Sequence, residues 1–314
     1  MKEQKKGSAV LGQKDISKRM RKYGVFYALA LIPVAYLLIF RFWPILLQIV
    51  LSFKKYSIKG GIWHSDWIGL ENFRELFTDD EFLTLFINTL RIAFMRLGFG
   101  FLPPIILAIM LYDMSSSKMR RFSQSILYIP HFFSWVIIYG IVQILFQKTG
   151  YINYILEKLG FESIDFLMKS KYFLPILVGS GIWKGLGWGT IIYLAALTGI
   201  NIDLFEAAKL DGAGPIQRIR YITLPAISEV VMFVLIMNLG SIMSSAGTEQ
   251  ILLFYNPTNY SISDVIGTWV YRQGLGKMQY SLAAAVSLFE STIGLVLVLL
   301  SNKLGKKFVG VGIW

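Results

Sequence analysis

Cysteine is absent from this 314-residue chain, and its only histidines are His64 and His131. Without cysteine the chain forms neither a disulfide framework nor a thiolate metal site, and two scattered histidines do not make an ordinary histidine site. His64 is therefore expected to be a surface residue rather than a metal ligand. Charge is also scarce, since 16% of the residues are charged, against about 25% in a typical soluble domain.

Apolar residues are abundant instead, at 55% of the chain with a mean hydropathy of +0.56. A bilayer core about 30 Å thick is crossed by roughly 20 predominantly apolar helical residues. The first apolar stretch continues past Arg41 to Leu51 without a small-residue cleavage site, so we expect it to be retained rather than removed as a signal peptide. We predict an all-α membrane protein with six transmembrane helices. The six apolar stretches are 24–52, 84–112, 126–146, 172–199, 230–253 and 280–301.

The formal net charge of +12 is unevenly distributed between the connecting segments. One group of segments carries 17 Lys/Arg against 7 Asp/Glu, namely 1–23, 113–125, 200–229 and 302–314. The other group carries 10 of each, namely 54–81, 147–171 and 254–279. Because cytoplasmic loops carry the excess of lysine and arginine, this bias predicts that both termini are cytoplasmic. The basicity then reflects topology, so we predict no nucleic-acid partner and a lipid-contacting N-terminal arm.

The predicted cytoplasmic loop between the fourth and fifth stretches has the sequence signals of two short helices. Asn201 or Asp203 is suited to cap the first helix, and Gly212 and Gly214 are suited to end it at a positive φ. Pro215 fits the start of the second helix. The second helix is expected to end near Leu224-Pro225, just before the next membrane span.

Side chains of the first loop helix are suited to contact another protein. Ala207 and Ala208 add no bulk, so the helix can sit deep in a groove, while Glu206 and Asp211 supply charged groups. The segment Glu206-Ala-Ala-Lys-Leu-Asp-Gly-Ala213, followed by Ile222-Thr-Leu-Pro225, resembles the EAA loop of binding-protein-dependent ABC importer permeases. The resemblance extends over most of the chain, to the LplB/YteP branch of complex-oligosaccharide importers. It is carried by Tyr128-Ile-Pro-His-Phe-Phe-Ser-Trp135, Trp183-Lys-Gly-Leu-Gly-Trp-Gly-Thr190, Glu249-Gln-Ile-Leu-Leu-Phe-Tyr-Asn-Pro257 and Gly310-Val-Gly-Ile-Trp314.

The resemblance implies a type I, MetI-like permease fold in the cell membrane and a non-catalytic role. ATP and Mg would be bound by partner subunits, because this sequence has no phosphate-binding P-loop motif and, on this interpretation, no cofactor of its own. The implied partners are a second homologous permease, two ABC ATPase subunits, an extracytoplasmic solute-binding protein, an oligosaccharide substrate and the lipid bilayer. The implied ATPase-coupling residues are Glu206, Ala207, Ala208, Asp211, Gly212, Leu224 and Pro225. Ile219 departs from the family pattern, which often has an aromatic residue there.

The resemblance also implies a division of the chain into three parts. These are a basic cytoplasmic arm at 1–23, a transmembrane permease domain at 24–302 with its coupling loop at about 200–228, and a cytoplasmic tail at 303–314. The outer segment 54–81 would help to receive the binding protein. Trp63, Trp67, Trp269 and Tyr271 are expected to form an interfacial aromatic belt.

Polar and aromatic residues within the spans suggest a substrate path, since a charge at a helix centre costs roughly 2.5–3.5 kcal/mol unless it faces a cavity or a partner. Arg91 and Arg96 are expected to reach an interface or to pair within the bundle. Glu290 is equally suited to pairing and to lining a pore. The candidate path residues are Trp183, Lys184, Trp188, Asn238, Glu249, Gln250, Tyr255 and Glu290. The closely spaced glycines 179, 181, 185, 187 and 189 favour tight helix packing.

Two other function classes compete with the importer. An ion-coupled secondary transporter would use buried carboxylates such as Glu249 and Glu290, but the chain has no convincing internal repeat. A membrane enzyme would need a clustered acidic metal site or a nucleophile with its base, and the sequence suggests neither.

Overall fold

A computed structural model describes residues 22–244, 247–308, 310, 312 and 313 of the chain. The predicted N-terminal arm therefore lies outside the described residues, except for Lys22 and Tyr23. The predicted C-terminal tail begins inside a helix, because the last membrane-length helix continues to Phe308. The proposed boundary between 302 and 303 thus does not coincide with a helix end.

The described residues are mostly helical. Its α-helices are α1 (Gly24–Leu37), α2 (Trp43–Ser52), α3 (Gly61–His64), α4 (Glu71–Thr78), α5 (Asp80–Gly100), α6 (Leu102–Tyr112), α7 (Ser117–Tyr128), α8 (Trp135–Phe146), α9 (Tyr151–Lys158), α10 (Ser170–Thr198), α11 (Ile202–Leu210), α12 (Pro215–Arg218), α13 (Leu224–Ala226), α14 (Ser228–Gly240), α15 (Thr248–Phe254), α16 (Tyr260–Ser263), α17 (Ile266–Val270) and α18 (Tyr280–Phe308). Leu38–Phe42, Ile219–Thr223 and Tyr271–Gly276 are π-helical, and Ile129–Phe132 is a 3₁₀ turn.

The all-α prediction needs a small correction between α2 and α4. Strands β1 (Lys54–Ser57) and β2 (Ser65–Trp67) pair antiparallel, with Lys54 opposite Trp67. The buried Asn72 side chain donates to the Ser52 and Lys54 carbonyls at 2.8 and 3.0 Å and ties α4 to the sheet. His64 is exposed, as predicted.

Within the described residues, four helices are long and apolar enough to cross a membrane, and six spans result if each of two bent pairs is one span. The four are Gly24–Ser52, Asp80–Tyr112, Trp135–Lys158 and Tyr280–Lys307. The bent pairs are Ser170–Thr198 with Ile202–Leu210, at 73°, and Pro215–Ala226 with Ser228–Gly240, at 62°.

Two predicted stretches are interrupted. The stretch 126–146 contains the 3₁₀ turn at Ile129–Phe132, where Pro130 cannot donate a helical hydrogen bond, so α8 begins only at Trp135. The stretch 230–253 breaks after Gly240, and α15 starts afresh beyond Gly247, which has a φ of +75°.

Three apolar clusters form the core. One lies at the end that carries the coupling loop and includes Ile109, Leu197 and Ile227. The other two pack α5 against the segment 242–269 and against α8 and α10. Trp269 is only 1% exposed and belongs to one of these clusters, so its assignment to an interfacial belt was wrong. Trp63 and Trp67 are both more than 60% exposed.

The glycine-rich segment of α10 packs closely at two of its five glycines. A Cβ on Gly187 would overlap the backbone carbonyl of Leu127, and one on Gly189 would lie 3.2 Å from Pro104. At Gly179 and Gly185 a Cβ would meet nothing within 4 Å. Tight packing is therefore local to the contacts with α7 and α6, and Gly185 faces open space.

Candidate coupling surface and translocation cavity

The first loop helix, α11, is closed at both ends by local hydrogen bonds. Asn201 caps the start, because its side chain accepts from the Asp203 amide at 3.0 Å. At the other end Gly212 has a φ of +77°, which glycine adopts without strain. The Gly212 and Ala213 amides donate to the Lys209 and Ala208 carbonyls at 3.1 and 2.8 Å. These two bonds are a Schellman motif, so the turn after α11 is fixed.

The second half of the loop is also helical and is held by a local hydrogen bond. Pro215 is the first residue of α12, as predicted, and the Gly214 amide donates to Gln217 Oε1 at 2.8 Å. Gly214 itself has an ordinary φ of −68°, so only Gly212 needs the left-handed conformation. The helical path continues through Leu224 and Pro225 and bends at Ile227.

One face of this loop is anchored in the protein while the other is open. The rings of Phe205 and Tyr112 have centroids 6.2 Å apart, and Ile219 and Ile222 pack on the same apolar cluster. In contrast, Leu210 is 90% exposed and Ile216 is 80% exposed. Among the sequence-predicted coupling residues, Ala208 is half-buried and the others are exposed: Glu206, Ala207, Asp211, Gly212, Leu224 and Pro225. Large apolar side chains open to solvent beside charged ones are typical of a protein-binding surface.

A cavity of about 280 Å³ lies between the spans. Its wall combines residues of α5, α6, α10 and α14 with the start of α8. The lining residues are Ala93, Arg96, Leu97, Gly100, Phe101, Pro104, Trp135, Gly181, Ile182, Gly185, Leu186, Asn238 and Ile242. Arg96 pairs within the bundle, as predicted, through its hydrogen bond to Gln250, and it is also the one charged residue among those that line this wall.

Gln250 stands directly behind Arg96. Its side chain is fully buried, and its amide nitrogen donates to the Leu177 carbonyl and to Ser180 Oγ, both at 2.9 Å. Its Oε1 accepts from Arg96 Nη2 at 2.5 Å. Because both amide N–H groups are engaged, Oε1 is directed at the guanidinium. Gln250 therefore joins α15, α10 and α5 and contacts Arg96 rather than the cavity.

Lys184 and Trp188 both contact the 3₁₀ turn at Ile129–Phe132, where the helical path is interrupted. The Lys184 ammonium donates to the His131 carbonyl at 2.8 Å and to that of Phe133, and it lies 5.5 Å from the Trp135 ring centroid. Trp188 stacks on His131 with centroids 4.3 Å apart. Of these two predicted path residues, Lys184 thus binds backbone carbonyls and Trp188 binds the His131 ring. Lys184 is also near the cavity, because it contacts Trp135, which lines the cavity wall.

The remaining candidate path residues are dispersed. Asn238 lines the cavity, whereas Trp183 lines a separate apolar groove with Phe146 and Phe166. Glu249 is exposed in the first turn of α15. The last two of the set are both half-buried: Tyr255, whose ring lies 5.5 Å from that of Tyr260, and Glu290, on α18.

The sequence did not predict a polar network that joins α5 to the segment 261–272. Asn88 donates to the Ser261 and Asp264 carbonyls at 2.9 and 3.0 Å, and Arg91 donates to that of Ile262 at 3.2 Å. Asp264 in turn pairs with both terminal nitrogens of Arg272, at 2.7 and 2.8 Å. The hydrogen bond to Asp264 raises the pKa of Arg272. Arg91 thus pairs within the bundle, as predicted, but its partner is a distant carbonyl that no local pattern reveals.

No group of three His, Asp or Glu side chains that could hold a metal ion occurs within the described ranges. Several apolar spans, a rigid exposed loop and a largely apolar cavity between the spans that also contains Arg96 and Asn238 together indicate a membrane transport protein.

A profile of the family "Binding-protein-dependent transport system inner membrane component" matches residues 105–309. In Bacillus subtilis (strain 168), the polygalacturonan/rhamnogalacturonan transport system permease protein YteP is 38% identical over 98% of this chain and 96% of its own length. Protein LplB from the same strain is 39% identical over 91% of this chain and 90% of its own length. The chain belongs to this family: it is a permease subunit of an ABC importer and a multi-pass protein of the cell membrane.

Solved structures agree with this assignment. A chain of the bacterial alginate ABC transporter, in complex with an alginate pentasaccharide-bound periplasmic protein, is 36% identical. The match covers 94% of this chain and 99% of that one, with a TM-score of 0.85. A chain of the MetNI methionine ABC transporter, at 14% identity and a TM-score of 0.53, shares the fold.

The hydrogen bonds from Lys184 to the carbonyls of His131 and Phe133 predict that Lys184 is needed for stability. Lys184→Gln removes a charged donor from two carbonyls, and hydrogen bonds to charged groups contribute about 1.5–3 kcal/mol. We expect a lower midpoint temperature of the purified complex in a thermal-shift assay. The control is Lys148→Gln, which changes an exposed lysine in the segment between α8 and α9. Equal midpoint temperatures for the two variants would show that the hydrogen bonds of Lys184 do not stabilise the protein.

Proposed function

We propose that this permease passes a complex oligosaccharide or polysaccharide fragment through the membrane and receives its energy at the loop 200–228. The observation that carries the proposal is the exposed face of α11 and α12, which projects from a buried apolar anchor. A helix held on one side and open on the other can transmit a displacement from a partner to the spans that it joins. The Glu206-Ala-Ala sequence lies on this helix.

We infer six spans with both termini in the cytoplasm. This topology treats each bent pair as one span, so that the loop 200–228 shares the cytoplasmic side with the basic helix α7. The excess of Lys/Arg over Asp/Glu in the segments on that side supports this orientation. The sheet β1–β2 and the loop 254–279 then face outward, where a solute-binding protein docks.

The working assembly contains a second homologous permease, two ABC ATPase subunits and an extracytoplasmic binding protein. ATP and Mg are held by the ATPase subunits, and this chain contributes no catalytic group or cofactor. When the ATPases close on ATP, each draws a loop such as 200–228 inward. Because Phe205 packs on Tyr112, the movement passes to the span Asp80–Tyr112, whose residues line the cavity. The cavity then changes its access from the cytoplasm to the outside.

A carbohydrate cargo is supported by what the relatives carry. YteP is named for polygalacturonan and rhamnogalacturonan, AraP of the same Bacillus strain for arabinooligosaccharides, and the similar solved transporter for alginate. AraP is 30% identical over 88% of this chain. Ion coupling through Glu249 and Glu290 has no comparable support, because the two carboxylates lie on different helices and Glu249 is exposed.

The topology has a direct test, since the chain has no native cysteine. Ser115→Cys, in the loop after α6, should react with a membrane-impermeant maleimide only after the membrane is permeabilised. Lys59→Cys, between the strands, should react in intact cells, because both sites are exposed and we infer that they lie on opposite sides. Reaction of both variants in intact cells, or the reverse order of reactivity, would contradict the inferred orientation.

Coupling through the loop predicts that Glu206→Lys abolishes ATP hydrolysis stimulated by the loaded binding protein, because it reverses a charge on the docking face. Gly212→Val should act similarly, since a β-branched residue at a φ of +77° costs about 1–3 kcal/mol and distorts the turn. Both variants should still insert in the membrane. The measurement is phosphate release by the reconstituted complex.

Two matched controls accompany this assay. Glu157→Lys reverses an exposed charge on α9, and Gly214→Ala changes a glycine with an ordinary φ of −68°, whose new Cβ would lie 3.8 Å from the Gln217 side chain. Both should retain stimulated hydrolysis. Full stimulation of the Glu206→Lys complex would exclude the loop as the coupling element.

A further inference from the structure

Helix α7 packs against the protein on one side and is open on the other. On the packed side Leu127 is half-buried, and its carbonyl lies so close to Gly187 of α10 that a Cβ there would overlap it. On the open side Phe122 is 62% exposed and Ile126 is 51% exposed. The helix begins shortly after the span Asp80–Tyr112 ends, so its first turn lies at the edge of the membrane.

The open side of α7 changes from cationic to apolar along the helix axis. Lys118 and Arg121 are both exposed near its start and, three residues apart, lie on one face. Phe122, Ile126 and Ile129 continue this face at helical spacing, and Ile129 is still 48% exposed just beyond the helix end. A phospholipid has the same order, with a charged headgroup followed by apolar chains.

The two cations of this face have no acidic partner in the described part of the chain. No Asp or Glu occurs on α6, α7, α8 or α10, and neither Lys118 nor Arg121 forms an ion pair with a described carboxylate. Asp113, which precedes α7, is exposed, and Arg120 is half-buried on the packed side. Because Lys118 and Arg121 are exposed and carry no compensating charge, their N–H groups are available to an anion from outside the chain.

We propose that this face binds an anionic phospholipid, with the phosphate between Lys118 and Arg121 and an acyl chain along Phe122, Ile126 and Ile129. Lys and Arg at a membrane surface attract anionic lipids, whereas a neutral phospholipid makes only the apolar contacts. The bound lipid covers the open side of α7 and holds the helix against α10. The site goes beyond the proposed transport function, since no residue of α7 lines the cavity or belongs to the loop 200–228.

The test places a photo-crosslinking amino acid at Ser125, which is exposed on the same side of α7 and is not one of the five contact residues. The complex of both permeases and the ATPases is reconstituted in nanodiscs with equal amounts of phosphatidylglycerol and phosphatidylcholine of identical acyl chains. Mass spectrometry of the illuminated chain identifies the lipid joined to position 125. We expect an excess of phosphatidylglycerol adducts of about tenfold or more, because each surface cation raises affinity for an anionic lipid by about fivefold.

Three variants in this background separate charge recognition from a general effect on the protein. The double variant Lys118→Gln, Arg121→Gln should give nearly equal adducts of the two lipids. The exchange Lys118→Arg, Arg121→Lys keeps both charges and should retain the excess. Arg74→Gln removes an exposed cation from α4, a helix that also carries acids, and should leave the excess unchanged. Copurification of the ATPase checks the assembly of each variant.

Two results would overturn the lipid site. One is equal adducts of both lipids in the native complex, or an excess that survives in Lys118→Gln, Arg121→Gln. The other is crosslinking of position 125 to the second permease or another protein in place of lipid. Neither result bears on the importer function, which is measured separately as ATP hydrolysis stimulated by the loaded binding protein.

Discussion

The fold depends on satisfying the backbone groups that its helix breaks leave without helical partners. A buried carbonyl or amide at such a break needs a partner from the protein. Lys184 supplies that partner at the 3₁₀ turn, and Asn88, with Arg91, does so for the carbonyls at 261–264. Polar residues that resemble a substrate path in the sequence are thus in part the means by which irregular backbone is kept between the spans.

The same constraint shapes the cavity. Because the helical path breaks after Gly240, the short helix α15 carries Gln250 against α10 and Arg96. A continuous helix over 230–253 would have no break at which Gly247 could adjoin the guanidinium. The break that costs regular hydrogen bonds therefore also brings Gln250 and Gly247 against the Arg96 guanidinium.

Much of the coupling loop could be predicted from local sequence, because caps and turns are local interactions. Asn201, Gly212 and Pro215 each take the position that their side-chain chemistry favours. Four of the apolar stretches likewise overlap helices that are long and apolar enough to cross a membrane. Long-range contacts were not predictable in this way: the burial of Trp269 and the place of Arg96 in the cavity wall both depend on which helices become neighbours. A charged residue within an apolar stretch indicates that it has a partner, but it does not indicate which residue that partner is.

The central claim is that the exposed face of α11 is covered by a separate ATPase in the working assembly. A photo-crosslinking amino acid in place of Leu210, which is 90% exposed, tests this most directly. Illumination of membranes that hold the complex should join this chain to the ATPase subunit, while the same probe in place of Leu70, near the sheet, should not. Adducts from position 210 to lipid or to the binding protein, and none to the ATPase, would contradict the account.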